Sequence, residues 1–251
     1  MLKLISVNME GEKHFPRILN LIATENPDII CLQECTEEFL RILQKQGYTT
    51  SFCVMRWQIQ NDVAYQEGNA IATKVPHTAV SKYFYRPDHT LPTTVPTPND
   101  LKHHNIIIAQ VPDSEGTLYS IATTHGIYTS NGLPDEHQRE GIKKLLSLMT
   151  SEKPHVLCGD FNVPRGVNNL YEEITKLYID TIPTEYTSSL DRTWHIHGKN
   201  PNLTEPIFES YMVDYLFTKS EYIVSDVRLQ FGVSDHAAVV ASIQKNSPDI
   251  K

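Results

Sequence analysis

The chain opens with a short, largely apolar run, Leu2 to Val7, interrupted by Lys3 and Ser6 and followed by the polar Asn8. A short run of this kind reads as a strand buried on both faces. Phe15, Ile18, Leu19 and Ile22 then recur at helical spacing, predicting a helix that ends near Asn26-Pro27. Asp28 to Glu34 is a second buried strand with a polar tip. Thr36 is placed to cap a helix carrying Phe39, Leu40 and Leu43 and closed by Gly47. Further strands are predicted at Asn69–Thr73, Ile106–Val111, Leu118–Thr124 and His155–Cys158. Between the third and fourth strands, Arg86–His104 is rich in Pro, Thr and His and reads as a surface loop. Pro134 marks the start of a third helix with Ile142, Leu145, Leu146 and Met149 on one face. A short helix near Asn169–Leu177 precedes strands at Tyr211–Phe217, Val224–Phe231 and Ala237–Ile243. Strands alternating with helices and then clustering predict a layered α/β fold, two sheets face to face with helices outside.

Composition narrows the class. With 251 residues, 40% hydrophobic and 21% charged, the chain is long enough for a sizeable core and should be globular. Its net charge of −8 argues against passive coating of duplex nucleic acid. A nuclease is still allowed, because a bound cation supplies the local positive charge that a phosphate needs. Cys31 and Cys158 sit in apolar runs and read as buried thiols, and no C-x-x-C or Cys/His knuckle occurs. No signal-peptide core or span of ~18 apolar residues is present, so a cytoplasmic protein without stable membrane association is expected.

The chemistry lies where apolar runs turn polar: Asn8, Glu34, His125, Asp160 with Asn162, Asp214, and Asp235 with His236. Loops at strand ends are where layered α/β folds tend to place their sites. Singly, each has an ordinary explanation: Gly-Asp-Phe-Asn is also a good turn sequence, and a lone His125 is also a satisfied core histidine.

Together, Ser6-Val7-Asn8, Leu32-Gln33-Glu34, Glu67-Gly68-Asn69, Thr124-His125, Gly159-Asp160-Phe161-Asn162, Val213-Asp214-Tyr215 and Ser234-Asp235-His236 resemble the endonuclease/exonuclease/phosphatase family, in that family's order. The resemblance implies a four-layer α/β sandwich of the deoxyribonuclease I-like kind: two packed mixed β-sheets flanked by helices, forming one domain over residues 1–245 with 246–251 as a tail. It implies Mg²⁺, with Mn²⁺ as the alternative, held by Glu34, Asn8 and Asp235; hard cations of this type prefer oxygen ligands. His236 is then the acid/base or phosphate-binding histidine, and Asp214 fixes its tautomer. Asp160 aligns or deprotonates the attacking water, and Asn162 donates to the phosphoryl oxygen. Glu67 and His125 match a second carboxylate–histidine pair of deoxyribonuclease I and sphingomyelinase-like members. Abasic-site repair members carry tyrosine in place of His125, so the chain leans away from abasic repair. Repair-type members often have Asp two residues after the first Asn, where Glu10 stands here.

Arg192 and His195 are candidates for contacting substrate phosphate, and Trp194 for stacking or for plain packing. His103-His104 beside Lys102 reads as a solvated loop. The reading is a metal-dependent hydrolase of a phosphodiester whose substrate includes nucleic acid or nucleotide among the candidates. The alternatives are a phosphomonoesterase or a phospholipase acting on inositol phosphates or sphingomyelin and, from another class, a catalytically inactive binding module. Specificity is expected in Met55–Gln66, Arg86–His104 and Thr187–Glu205.

Overall fold

The computed structural model describes residues 1–60, 63–86, 102–152, 155–199 and 206–246. In chain order the first half runs β1 (Leu2–Asn8), α1 (Phe15–Glu25), β2 (Ile29–Thr36), α2 (Glu37–Lys45), β3 (Thr49–Gln60), β4 (Val63–Thr73), β5 (Thr78–Arg86), β6 (His104–Pro112) and β7 (Leu118–His125). The second runs α3 (Glu136–Ser151), β8 (Val156–Asp160), α4 (Leu170–Thr175), β9 (Ile179–Asp180), α5 (Pro206–Ser210), β10 (Asp214–Thr218), β11 (Tyr222–Gln230) and β12 (Ala238–Lys245). The strands form two six-stranded sheets, ordered β11-β12-β1-β2-β4-β3 and β5-β6-β7-β8-β10-β9. Each is mixed: β1 runs parallel to β2 and β7 parallel to β8, while the other pairs are antiparallel. This is the α/β sandwich expected from the sequence.

Largely apolar runs appear because the central strands are covered on both sides. Along β1, Leu2 and Leu4 join the core between the sheets, whereas Ile5 and Val7 pack with Ile18, Ile22, Phe39 and Leu43 of α1 and α2. Alternation along a strand therefore puts Asn8 on the same face as Leu4, at the open edge between the sheets. In β2, Ile29 and Cys31 face the other sheet and Ile30 and Leu32 face the helices. Helix α1 stops at Asn26, which adopts a left-handed conformation (φ 48°) and donates its N–H to Ile22 O at 2.8 Å. All four cysteines are buried and free, as the apolar runs around Cys31 and Cys158 suggested.

Several local expectations are corrected. Thr36 ends β2 and makes no side-chain cap; its hydroxyl instead lies 3.4 Å from Glu12 Oε1. Helix α3 begins after Asp135, whose carboxylate accepts Gln138 N–H, rather than at Pro134. Met55–Gln66 belongs to the long antiparallel pair β3–β4 on both sides of residues 61–62. Strand β5, for which the sequence pattern predicts no element, is an edge strand that buries only Tyr85. Of the expected Arg86–His104 loop, residues 87–101 lie outside the described residues, as do 200–205 of the expected Thr187–Glu205 segment and 247–251 of the expected tail.

Candidate active site

Asn8, Glu34, His125, Asp160, Asn162, Asp235 and His236, all expected from the sequence, line one cleft of about 490 Å³. It opens at the ends of β1, β2, β7 and β8 and at the starts of β10 and β12. Two backbone devices aim the side chains. In β2 a bulge sets Gln33 and Glu34 against the single residue Asn69, and Glu34 takes a positive φ of 50°. Without it, alternation would point Glu34 at the helices; a bulge re-aims a side chain in this way. In β8, a Cβ on Gly159 would lie 2.0 Å from Thr124 O, so only glycine lets β8 approach β7 and bring Asp160 opposite His125. Glu10, Glu34 and Asn162 are all non-glycine residues with positive φ, a strain typical of functional positions.

Asp160 and His236 form the buried centre. His236 donates from Nδ1 to Asp214 Oδ2 at 2.7 Å, and its Nε2 lies 3.9 Å from Asp160 Oδ2. Ser189 fixes Asp214 from behind: its Oγ donates to Asp214 Oδ2 at 2.6 Å and accepts the N–H groups of Val213 and Asp214. Burial opposes a charged imidazole, but Asp214, Asp160 and Asp235 outweigh it and raise His236 well above its usual range. Burial also pushes Asp160 up to about 7, with His236 opposing and Asp214 adding to the rise. Asp160 accepts Asn162 N–H on Oδ1 at 2.9 Å and Asn8 Nδ2 on Oδ2 at 3.1 Å. At 3.9 Å the carboxylate and imidazole are too far apart for a direct hydrogen bond, but a water or substrate oxygen between them can exchange a proton with either.

The carboxylates on the other side suit a cation. Glu10, His14 and Asp235 present ligand atoms within 4.8 Å of one another. Burial raises Asp235; His236 opposes, and Glu10 and Glu34 push it higher. Glu34 lies against the Lys102 ammonium, with Nζ 3.1 Å from Oε1. Burial alone would raise Glu34, yet Lys102 and Arg56 hold it below its usual range. Hard oxygen donors fit Mg²⁺ or Mn²⁺, and here Lys102 on Glu34 and Lys13 and His14 on Glu10 hold the place that a cation would compete for. Asn8 is partly committed: its nitrogen serves Asp160 and its oxygen accepts Glu10 N–H at 3.1 Å. Glu10, the departure from the repair-type pattern whose longer side chain could still reach a metal through water, therefore joins Asp235.

The expected Glu67–His125 pair is not formed. Glu67 is buried and accepts Arg56 Nε at 2.9 Å and Gln58 Nε2 at 3.2 Å. A bulge at Met55 sets Arg56 opposite Glu67, and a guanidinium outcompetes a neutral imidazole for a buried carboxylate. His125 lies instead between Glu34 Oε1, 3.6 Å from Nδ1, and Asp160 Oδ2, 3.5 Å from Nε2. Burial first, then Lys102 and neighbouring histidines, hold it well below its usual range.

Arg192 is not among the residues lining the cleft; its guanidinium stands 5.1 Å from the Phe208 ring centroid. His195 does line it, held down to about 4 by burial and by His236 and His197. Trp194 is covered by Arg17, 3.5 Å from its ring centroid, so it packs rather than presenting a face.

A profile of the Endonuclease/Exonuclease/phosphatase family matches residues 5–236. The chain belongs to the endonuclease/exonuclease/phosphatase family. Family members are phosphoric ester hydrolases and are generally metal-dependent. A comparison with curated proteins returns no match. Among solved structures, the family protein from Beutenbergia cavernae DSM 12333 has TM-score 0.74 at 17% identity, over 100% of this chain and 73% of that one. The human Nocturnin catalytic domain with bound sulfate has TM-score 0.67 at 18% identity, over 98% and 93%. The mannosyl-6-phosphatase of Bacteroides thetaiotaomicron VPI-5482 has TM-score 0.69 at 14% identity, over 97% and 100%. At these identities the likeness shows the shared fold.

Lys102, Arg56, Ser189 and His104 were not singled out as site residues from the sequence. His103 and His104 are buried, not solvated, because they lead into β6 beneath the cleft. His104 donates from Nδ1 to His125 O at 2.9 Å and so anchors the strand end carrying His125. Burial, aided by Lys102, holds its pKa down to about 3 from 6.5. The unfolded chain therefore binds a proton at His104 below pH 6.5 that the folded chain refuses until about pH 3. Stability should be full above pH 6.5 and fall by ~1.4 kcal/mol per pH unit below it from this group. Urea denaturation at pH 7 and pH 5 should show a shallower acid loss in His104→Gln than in wild type. Equal losses would contradict the assignment.

Proposed function

We propose that this protein is a Mg²⁺-dependent phosphodiesterase that hydrolyses its ester by in-line attack of water on phosphorus. The observation carrying this reading is the meeting of Glu34, Asp160, Asn162, Asp235 and His236 in one cleft, although they lie up to 202 positions apart in the chain (236 − 34). Glu34, Glu10 and Asp235 would hold the cation, with the Asn8 carboxamide beside them, and Mn²⁺ is the alternative ion. When bound, the ion supplies polarisation of a phosphoryl oxygen and charge balance for the leaving oxygen.

Asp160, poised at about 7, orients the water and accepts its proton as the new P–O bond forms. His236, kept cationic by its carboxylates, faces the negative charge that develops on the phosphoryl group as the bond to the leaving oxygen breaks. Asp214 and Ser189 hold the imidazole so that Nε2 faces the cleft. Asn162 lines the cleft with its N–H on Asp160 Oδ1 and its Nδ2 shared between Gly126 O at 3.2 Å and Asp160 Oδ2 at 3.5 Å; the longer of these contacts is the one a phosphoryl oxygen would replace. His125, held neutral, shapes the cleft between Glu34 and Asp160.

One observation favours a second reading. Arg56 and Lys102 both line the cleft, and paired cations suit the dianion of a terminal phosphate, so a phosphomonoesterase is the alternative. Among the described residues no helix is long and apolar enough to cross a membrane, and the buried free thiols suit a reducing compartment such as the cytoplasm. Initial rates in Mg²⁺ on bis(p-nitrophenyl) phosphate and p-nitrophenyl phosphate test the reading. Faster turnover of the diester is expected. A preference for the monoester selects the alternative, and no turnover of either with any divalent ion selects an inactive binding module.

A further inference from the structure

We propose that the cleft contains a ring-binding subsite, built by Tyr128 and Tyr211 beside the phosphoryl-transfer residues, that takes the base of a nucleotide. The proposal rests on the reading above for the position of the phosphate, and its test is an equilibrium one.

The cleft is larger than a phosphate requires, and its walls are chemically unequal. Glu34, Lys102, Asp160, Asp235 and His236 supply charge, while Tyr128, Pro164, Tyr211 and Ile196 supply apolar surface. Reaction at phosphorus needs none of the latter. Tyr128 is 61% exposed and Ile196 72%, so the fold gains little from burying either. A large ring left open in the wall of a reactive cleft is available to a ligand.

The apolar wall is a constructed surface. Gly132 has φ 70°, and a Cβ there would come 2.7 Å from Tyr211 Oη and 3.1 Å from Pro164 Cγ, so this tight packing admits only glycine. Asn168 Nδ2 donates to Gly132 O at 2.9 Å. Gln138 Nε2 donates both to Ile127 O at 2.7 Å and to Asn162 O at 2.8 Å. One side chain therefore ties the backbone before Tyr128 to the loop of Asn162, fixing the ring platform relative to the reacting groups. Tyr128 and Tyr211 both line this cleft, with Pro164 between the glycine turn and the reacting groups' loop.

The ligand follows from the chemistry. A planar group stacks on a tyrosine face, which the surface of Tyr128, Tyr211, Pro164 and Ile196 offers, while Thr129, Ser130, His195 and His197 in the same cleft offer polar partners for the edge of a base or its ribose. The chain's charge of −8 disfavours tracking along a duplex, so a mononucleotide or short single strand is the fitting form.

Calorimetric titration of the wild-type protein in Mg²⁺ with AMP and with ribose 5-phosphate isolates the base, and phosphate release is followed in the same samples. AMP should bind about 10-fold tighter, from stacking of one base. Tyr128→Ala should bring the two affinities within about 2-fold, and Tyr128→Phe should preserve the gap, as stacking predicts. Equal affinities in the wild type, or an unchanged gap in Tyr128→Ala, would overturn the subsite. A titration with p-nitrophenyl phosphate separates a base from a simple aryl group. Tyr128-dependent tightening for the nitrophenyl ring without any for adenine would overturn the nucleotide assignment. Phosphate release from these two monoesters would select the phosphomonoesterase alternative, and its absence is what a diesterase gives; the affinity gap is read independently of either.

Discussion

Replacing His236 by alanine is expected to lower kcat/KM for the best ester substrate by about 10³–10⁴-fold, from loss of an acid–base group and of positive charge at the reacting centre. His236 is the imidazole that joins the two halves of the centre: Nδ1 is bound to Asp214 and Nε2 faces Asp160. Its removal takes away the charge that opposes the rise in Asp160. The residual rate should therefore move to higher pH as well as fall. Ser189 still donates to Asp214 in the variant, so the buried carboxylate keeps a partner and the protein should remain folded. Initial rates across pH, with circular dichroism as the folding control, check this. A loss below about 10-fold in a folded variant would remove His236 from the chemistry.

Glu34→Gln is expected to abolish most divalent-dependent turnover, by about 10²–10³-fold, with a matching loss of Mg²⁺ affinity. The substitution keeps size and shape, so the bulge and its positive φ should survive. It removes the carboxylate against which Lys102 rests at 3.1 Å. Lys102 and a divalent ion compete for that oxygen, which gives a complementary expectation: Lys102→Met should tighten Mg²⁺ binding. Calorimetric titration of wild type and both variants reads both effects independently of catalysis. Unchanged Mg²⁺ affinity in Glu34→Gln would place the cation elsewhere.

Much of the site was legible because strands covered on both faces leave a clean signal: an apolar run ends and a polar residue begins. Asn8, His125 and Asp160 were found in that way, and strand alternation carries them to one edge. Glu34 was found by the same signal although a bulge, which no simple pattern encodes, aims it into the cleft. The cationic side was not legible. Cys53, Met55, Trp57 and Ile59 do alternate along β3, but Gln58, Gln60 and the Asn61-Asp62 pair made the stretch look like a loop, and Arg56 went unnoticed. Pairing of Arg56 with Glu67 is a tertiary event, set by the irregular register at Met55, and it displaced the carboxylate–histidine pair that the motif suggested. Lys102 was set aside as solvated because the His103-His104 dipeptide is polar, yet both histidines are buried. Ser189 carries no local mark at all. It matters because the segment around it is tied to the Asp235–His236 turn, with Ala237 N–H on Ser189 O at 2.7 Å and Asp191 N–H on Asp235 O at 2.8 Å. Such support is visible only once the chain is folded.

Hydrolysis of a phosphodiester in ¹⁸O-labelled water, by chelator-treated protein with and without restored Mg²⁺, tests whether this cleft directs water onto phosphorus. The account predicts label in the phosphoryl product alone, formed only when Mg²⁺ is present and largely lost in Asp160→Asn. Label in the released alcohol, or the same rate under chelation, would contradict it.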